Sequence, residues 1–203
     1  MKYLLKSLTL GTLMAISAQA AVGAATDPTG DAHPRILMET SMGNIVLELD
    51  RAKAPKSVDN FVQYVQDGFY DGTIFHRVIK DFMAQGGGFT PDFAQKPTRA
   101  TVTNEADNGL KNVRGSIAMA RTNDPHSATA QFFINTVDND FLNFSAPTAR
   151  GWGYTVFGKV VEGMDVIDKI RTTPTGSGGP FPSDVPKTTV LIKKASMVVV
   201  KAK

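Results

Sequence analysis

Apolar and polar residues alternate in two short runs near the start of the chain, residues 35–40 (RILMET) and 44–50 (NIVLELD). Alternation with a period of two is typical of strands that bury one face. The runs flank the tripeptide Ser-Met-Gly at 41–43, a short turn that contains glycine. The pattern therefore predicts a β-hairpin over residues 35–50.

The apolar spacing changes to that of a helix over residues 53–68. Its apolar positions follow the sequence i, i+3, i+4 and i+7 and are Val58, Phe61, Val62 and Val65. This spacing predicts an amphipathic α-helix, with Pro55 in its first turn and Gly68 at its end. A second helix is predicted over 163–171, one side of which would carry Met164, Ile167 and Ile170.

Strand-like composition returns in several short segments. These are residues 74–79, 113–120, 130–136, 154–161 and 188–200. The segment 174–186 is rich in Pro and Gly, and we expect it to be a loop. Many short strands and only two helices predict a mainly β fold, a closed antiparallel barrel with helices over its ends.

Residues 1–20 have the pattern of a secretory signal peptide. Lys2 and Lys6 give a positive start, and a short apolar run over 8–18 follows. Small residues precede two candidate cleavage points, after residue 20 and after residue 24. Because the apolar run is too short and too interrupted for a transmembrane anchor, no membrane insertion is expected.

The rest of the chain divides into a small, polar segment at 21–33, expected to be flexible, and a single domain at 34–203. Cleavage after residue 20 removes two lysines and no acid, which lowers the formal net charge from +3 to +1. A nearly neutral protein without a basic run gives no reason to expect nucleic acid as a partner. The chain has no cysteine, so its stability must come from its core and not from disulfides.

An arginine lies in the middle of an otherwise apolar stretch, FHRVIKDFMAQGGGF at 75–89. Strand alternation puts Phe75, Arg77 and Ile79 on one face, and His76 and Val78 on the other. After a turn at 80–81, Met83 and Gln85 are expected to share a face. On pattern alone, Arg77 would be an ordinary solvated charge on a half-exposed strand.

The segment FHRVIKDFMAQGG resembles the signature of the cyclophilins, the cyclosporin-binding family of peptidyl-prolyl cis-trans isomerases. The resemblance continues from about residue 35 to 200, through VDNFVQYV, GSIAMA, SATAQFFI and VFGKVVEGMDVIDKI. The signal peptide, Phe141 and the Tyr-x-Val-Phe-Gly at 154–158 are most similar to the bacterial periplasmic branch.

The resemblance implies a closed eight-stranded antiparallel β-barrel capped by two α-helices. It implies an enzyme that rotates X–Pro peptide bonds without a cofactor or metal and that assists the folding of exported proteins. Its partners would be proline-containing polypeptides and unfolded exported proteins, and we expect a monomer in the periplasm.

The same resemblance gives catalytic roles to Arg77 and Gln85. As the X–Pro bond twists, the prolyl nitrogen becomes pyramidal and its lone pair becomes available. A guanidinium beside it can then donate a hydrogen bond that exists only in the twisted state, which is selective stabilisation of the transition state. Gln85 would orient Arg77 and hydrogen-bond the substrate backbone.

Ten further residues are implied to bind substrate: Phe82, Met83, Ala120, Arg121, Thr122, Gln131, Phe133, Phe141, Leu142 and Tyr154. The apolar members would hold the proline ring, with Phe141 at the rim, and residues 120–122 would offer a backbone edge to the peptide. Because His76 lies opposite Arg77 in the alternation, we expect a structural, hydrogen-bonded histidine and not a general base.

The chain departs from the best-known cytosolic eukaryotic members at four of these positions. They have Trp at Phe141, His at Tyr154, and Asn-Ala at residues 121–122. The tryptophan donates an indole N–H to cyclosporin, so its replacement by Phe141 predicts weak binding of the drug. The change at Tyr154 leaves the residue preference before proline open.

Other chemistries have less support in the sequence. The three histidines, His33, His76 and His126, have no metal-ligand spacing, and no Gly-x-Ser-x-Gly elbow is present. The glycines at 86–88 allow close backbone approach or unusual φ values, but no Lys-Ser/Thr follows them as in a phosphate loop. The remaining alternative is a non-catalytic proline-peptide-binding module or holdase chaperone on the same fold. The combination of Arg77, Phe82, Gln85 and Phe133 favours catalysis.

Overall fold

The computed structural model describes residues 30–198, so the predicted signal peptide and its two cleavage points lie outside the described residues. The strands are β1 (Arg35–Thr40), β2 (Gly43–Leu49), β3 (Thr73–Ile79), β4 (Met83–Gly86), β5 (Ser116–Met119), β6 (Phe132–Asn135), β7 (Val156–Glu162), β8 (Thr175–Gly178), β9 (Phe181–Pro186) and β10 (Leu191–Met197). The helices are α1 (Pro55–Gln66) and α2 (Met164–Arg171), with short 3₁₀ helices at Ala106–Asn108 and Asp140–Leu142. Over residues 30–198, no helix has the length and apolar character needed to span a membrane.

Eight strands close into an antiparallel barrel in the order β1-β10-β3-β4-β6-β5-β7-β2. The predicted first hairpin is present, with Thr40 opposite Gly43 at its turn. Alternate residues of β1 and β2 point inward and are fully buried, as the sequence pattern predicts: Ile36, Met38, Ile45 and Leu47. The expectation of a closed eight-stranded barrel is confirmed.

Both predicted helices are present, and their apolar faces join the interior core of the barrel. Phe61 of α1 is fully buried, with its ring centroid 5.2 Å from that of Phe157 and 5.6 Å from that of Phe132. The first turn of α1 begins at a proline and is satisfied by Glu105, whose carboxylate accepts hydrogen bonds from the N–H groups of Lys56 and Ser57. The buried residues of α2 are Val166, Ile167 and Ile170.

The loop predicted over 174–186 is instead a β-hairpin made of β8 and β9. Thr175 pairs with Pro186, and Gly178 pairs with Phe181 around a tight turn at Gly179, where φ is +51°. The prediction was wrong because Pro and Gly signal turns but do not exclude short edge strands. The hairpin packs on β3 and buries Val185.

The predicted alternation along β3 is also wrong at its first positions. Phe75 pairs with Gly86 and Arg77 with Gln85, so one extra residue lies between them in β3. Such a β-bulge reverses the facing of the residues before it relative to those after it. As a result Phe75 lies in the interior core with Val78 and does not share a face with Arg77.

Candidate active site

A second apolar cluster lies on the outer side of the barrel wall. Along β5, Ile117 and Met119 belong to the interior core, whereas Ala118 between them belongs to this second cluster. In strands β4, β6 and β7, neighbouring residues likewise belong alternately to the interior core and to this second cluster. The cluster, called here the outer apolar cluster, consists of Met83, Ala118, Phe133, Leu142 and Val156. These strands are therefore apolar on both faces, although one face of an antiparallel sheet is commonly polar.

A cavity of about 120 Å³ opens above the outer apolar cluster. Its lining is Arg77, Phe82, Met83, Gln85, Ala120, Arg121, Phe133, Leu142 and Tyr154. All of these residues are among the predicted site residues. Two more, Thr122 and Gln131, line an adjoining cavity of about 210 Å³ together with Gln85 and Arg121. Residues distant in sequence thus meet at one place, and their roles there stay predictions.

The walls of the smaller cavity are aromatic. Phe133 is 4% exposed and meets Tyr154 edge to face, with ring centroids 5.6 Å apart. Phe82 is half-buried and stacks on Phe141 at a centroid distance of 5.6 Å. Phe141 itself is 75% exposed. It therefore lies at the rim, where its outer ring face is open to a ligand.

Buried asparagines hold the loops around the cavity. The amide of Asn139 donates to the side-chain Oδ1 of Asn135 at 2.7 Å and to the backbone oxygen of Phe82 at 2.9 Å. The amide of Asn112 donates to the backbone oxygen of Leu142 at 3.1 Å. Because buried amides stay in place only when they are hydrogen-bonded, this network fixes the loop that carries Phe141. Sequence reasoning missed these residues, since asparagine also marks turns.

The side chain of Arg121 supports the backbone of the site. Its Nε donates to the carbonyl oxygen of Gly153 at 2.8 Å, and its guanidinium lies 4.5 Å from the ring centroid of Tyr154. In the predicted backbone edge, the N–H of Ala120 donates to Gln131 O and the N–H of Thr122 donates to Ser127 Oγ. The carbonyl oxygen of Thr122 accepts from Arg121 Nη1. A peptide could therefore pair with the N–H of Arg121 and with the carbonyl oxygens of Ala120 and Arg121.

Arg77 lies at the polar edge of the cavity with 42% of its side chain exposed. Gln85 is directly opposite Arg77 in the strand pair, but its Nε2 donates to Oε1 of Gln131 at 3.0 Å. Gly88 permits this contact, because a Cβ there would lie 2.5 Å from the Gln131 side chain. The carboxylate closest to Arg77 belongs to Asp184, with Oδ2 3.6 Å from Nε. Within residues 30–198, Gln85 makes no hydrogen bond to Arg77, and the ion pair with Asp184 is a contact that the sequence did not indicate.

His76 is buried beneath the β8–β9 hairpin and does not face the cavity. It is 2% exposed, and its ring packs against both Phe89 and Phe181 at centroid distances of 4.7 Å and 5.3 Å. Burial lowers the pKa of His76 to about 4, and the charge of Arg77 acts in the same direction, while a hydrogen bond with the backbone of Ile74 opposes them. The buried Nδ1 of His76 has no hydrogen-bond partner among residues 30–198, so the expectation of a hydrogen-bonded histidine is not met at this nitrogen. His76 is thus neutral near pH 7 and too remote to serve as a general base in the cavity.

A larger cavity of about 260 Å³ lies elsewhere on the barrel, between β2, β5 and β7. Leu49, Val113 and Val156 contribute to its lining, and Glu48 and Lys159 lie at its edge. None of the predicted site residues lines it. We place the functional site at the smaller cavity because an apolar floor there meets a half-exposed guanidinium and open backbone groups.

Comparisons with known proteins agree on one family. Residues 35–197 match the family model described as cyclophilin type peptidyl-prolyl cis-trans isomerase/CLD. The chain is similar to peptidyl-prolyl cis-trans isomerase cyp18 of Streptomyces antibioticus, with 61% identity over 79% of this chain and 96% of the relative. It is similar to peptidyl-prolyl cis-trans isomerase B of Escherichia coli (strain K12), with 56% identity over 80% and 98% of the two chains.

Isomerase A of Dickeya dadantii is 52% identical over 92% of this chain and 94% of its own length. Among solved structures, the fold is similar to a cyclophilin type peptidyl-prolyl cis-trans isomerase of Cryptosporidium parvum, crystallised in the presence of the dipeptide Ala-Pro. The two agree with a TM-score of 0.69 at 27% identity, over 82% of this chain and 99% of the other. Residues 35–197, which match the family model, include every residue that lines the smaller cavity.

Proposed function

Because this chain belongs to the cyclophilin-type peptidyl-prolyl cis-trans isomerase family, we propose that the cavity beside Arg77 is where it rotates X–Pro peptide bonds. The activity itself follows from the family and from relatives of 52–61% identity that are named peptidyl-prolyl cis-trans isomerases. The protein is therefore an enzyme of this class and binds proline-containing peptides. The alternative of a non-catalytic binding module has no observation in its favour.

The observation that carries the proposal is the position of one guanidinium at the edge of an apolar cavity. The proline ring would lie against the outer apolar cluster, between Phe133 and Phe82. Arg77 would then be beside the prolyl nitrogen, where a donor stabilises the lone pair of the twisted bond more than that of the planar one. No covalent intermediate and no proton transfer is needed. An Ala-Pro unit, the dipeptide present with the crystallised Cryptosporidium parvum protein, is the smallest fragment with this chemistry.

The energies require both the guanidinium and the apolar walls. Uncatalysed isomerisation takes roughly 10–100 s, over a barrier of about 18–20 kcal/mol. A turnover near 10³ s⁻¹ needs an acceleration on the order of 10⁵, about 7 kcal/mol. A hydrogen bond from a charged group contributes about 1.5–3 kcal/mol. The apolar walls must therefore supply the rest, by holding the proline ring still and out of water while the preceding residue turns.

Replacement of Arg77 tests the proposal. Arg77→Ala should lower kcat/KM by roughly 10²–10³, the usual effect of losing one preorganised donor. Arg77→Lys should recover only part of the activity, because an ammonium lacks the planar fork of donors. The measurement is a protease-coupled assay of a proline peptide, repeated with a refolding reaction limited by proline isomerisation.

Arg35→Ala is the matched control, since Arg35 pairs with Glu48 on β2 and does not line the cavity. It should leave kcat/KM unchanged. Near-wild-type activity of Arg77→Ala, with the fold intact by circular dichroism, would refute the assignment of the site.

We further propose that the protein is exported to the periplasm and assists the folding of exported proteins there. The charged start and apolar run of residues 1–20 support export. The match to the Dickeya dadantii isomerase spans 187 residues and so extends past the 35–197 domain. Mass analysis of the N-terminus after cell fractionation should find Ala21 or Ala25. An intact Met1 in periplasmic protein would contradict export with cleavage.

A further inference from the structure

We propose that Asp184 of β9 is a positioning residue for Arg77, whose guanidinium it turns so that the terminal amino groups face the cavity. The proposal rests on the function proposed for Arg77. It assigns a role to the β8–β9 hairpin, which otherwise lies beside the site without lining it.

Arg77 has a long side chain with 42% of its surface exposed, so it needs an anchor to hold one orientation. Across the strand pair, Gln85 makes no hydrogen bond to Arg77 within residues 30–198, and its Nε2 donates to Gln131 instead. Within residues 30–198, the carboxylate that pairs with Arg77 is that of Asp184, with Oδ2 3.6 Å from Nε. At this distance the contact is an ion pair and not a direct hydrogen bond.

The contact is made on the Nε side of the guanidinium. A guanidinium carries one N–H at Nε and four on its two terminal nitrogens, in one rigid plane. A carboxylate on the Nε side therefore attracts that edge of the guanidinium and leaves the four terminal N–H groups available. Those groups are the ones that a prolyl nitrogen in the cavity would need.

The backbone at Asp184 is itself unusual. Its φ is +66°, in the left-handed region that residues other than glycine seldom occupy and that Asp and Asn tolerate best. On one side, Val185 is buried and pairs with Gly176 of β8. On the other side, Phe181 packs against His76 and Phe89. The hairpin thus holds a costly conformation that aims the carboxylate at Arg77, and such conformations concentrate at functional sites.

Because the Arg77–Asp184 ion pair is partly exposed, its role in positioning can be tested without unfolding the protein. The side chains of Arg77 and Asp184 are 42% and 32% exposed, and ion pairs in contact with solvent add little to stability. Removing the carboxylate should therefore leave the protein folded. Its effect should appear where the direction of the guanidinium matters, which is the rate of the chemical step.

The test compares Asp184→Asn and Asp184→Glu in the full protein. Asparagine keeps the tolerance for positive φ and removes only the charge. We expect Asp184→Asn to lower kcat/KM roughly three- to tenfold, within the range for coupled neighbours, with the loss in kcat and KM nearly constant. Asp184→Glu should recover part of the rate. The ¹⁵Nε–¹Hε resonance of Arg77 should shift in Asp184→Asn, which a structural role elsewhere would not cause.

Asp59→Asn is the matched control, because Asp59 also pairs with an arginine Nε, that of Arg51, away from the cavity. It should change neither kcat nor the Arg77 resonance. The decisive arm adds Asp184→Asn to Arg77→Ala, where it should have no further effect. An equal loss with and without Arg77, or a gain in activity, would overturn the positioning role. An Arg77→Ala enzyme with full activity would instead overturn the proposed site.

Discussion

The interior core and the outer apolar cluster are built from the same strands but differ in what covers them. In β6, Phe132 and Ile134 are 0% exposed inside the barrel, under α1 and α2. Phe133, between them in sequence, points to the outer side, where the cover is incomplete and a cavity remains. Apolar surface sealed from water stabilises the fold, whereas apolar surface left accessible can receive a ligand. Stability and catalysis should therefore be separable, residue by residue.

Replacing one phenylalanine by alanine in each region tests most directly whether the two regions differ in function. Phe61→Ala opens a cavity in the sealed core and should cost about 3–5 kcal/mol of unfolding free energy, with kcat/KM of the folded fraction unchanged. Phe82→Ala removes a half-buried wall of the outer cavity and should cost only about 1 kcal/mol. Its kcat/KM should fall by roughly tenfold, since apolar contact with the proline ring is lost.

Urea unfolding and the peptide assay on both variants measure the two effects. If Phe61→Ala lost activity at temperatures where it is fully folded, the two regions would not be independent. Comparable stability losses in both variants would mean that the outer cluster is as sealed as the interior.

His76, a buried titratable residue, provides a second test of which regions are closed to water. The folded-state pKa of His76, about 4, is below its ordinary value of 6.5. Below pH 6.5, His76 is therefore protonated in the unfolded chain while it stays neutral in the folded protein. The free energy of unfolding falls as the pH falls. Above about pH 6.5, His76 is neutral in both states and does not lower the free energy of unfolding. Between pH 6.5 and pH 4, that free energy falls progressively, by up to about 3 kcal/mol.

Urea unfolding of wild type and His76→Gln from pH 7.5 to 4 measures this contribution. Carboxylates with lowered pKa values, such as Glu48 and Asp168, act equally in both proteins. The difference between the two curves therefore isolates His76. Parallel curves would show that the imidazole is protonated without cost, and that the space beneath the hairpin is open to water.

Periodicity was enough to predict the elements with regular spacing. Helix α1 and the β1–β2 hairpin follow from periods of 3.6 and two, because each buries one continuous face. The bulge before Arg77 was not predictable, since alternation assumes an uninterrupted strand. The β8–β9 hairpin was missed because Gly and Pro suggest a loop until the packing of Phe181 and Val185 is known.

The candidate site divides in a similar way. Its lining residues follow from the resemblance of the segments that carry them, and the structure gathers most of them around one cavity. The supporting contacts do not follow. Asp184 is more than one hundred positions from Arg77 in the chain, and the amide of Asn139 finds its partners only after the strands have paired. Contacts of this kind depend on the fold and not on local pattern.

The last expected effect concerns a ligand other than the substrate, at the rim of the outer cavity. Phe141 offers a flat apolar face but no N–H donor, so an acceptor on bound cyclosporin would lose its partner. An unsatisfied acceptor costs about 1–3 kcal/mol, roughly a 5- to 150-fold weakening. Phe141→Trp should therefore bind the drug more tightly while turnover changes little. Calorimetry on both forms decides the matter, and equal affinities would assign drug sensitivity to Tyr154 or Arg121.

The closed ring of strands also affects whether this protein can aggregate with the unfolded chains on which it acts. Chains that await proline isomerisation still have unpaired backbone, and an open sheet edge would recruit them into mixed aggregates. Each of the eight barrel strands within residues 30–198 has a neighbouring strand on both sides, although β10 pairs with β3 only at Leu191 and Ile192. The two strands outside the ring form the β8–β9 hairpin, where Pro182 and Pro186 interrupt the row of N–H donors. We therefore expect resistance to co-aggregation to depend on the topology and to persist in a variant that lacks Arg77.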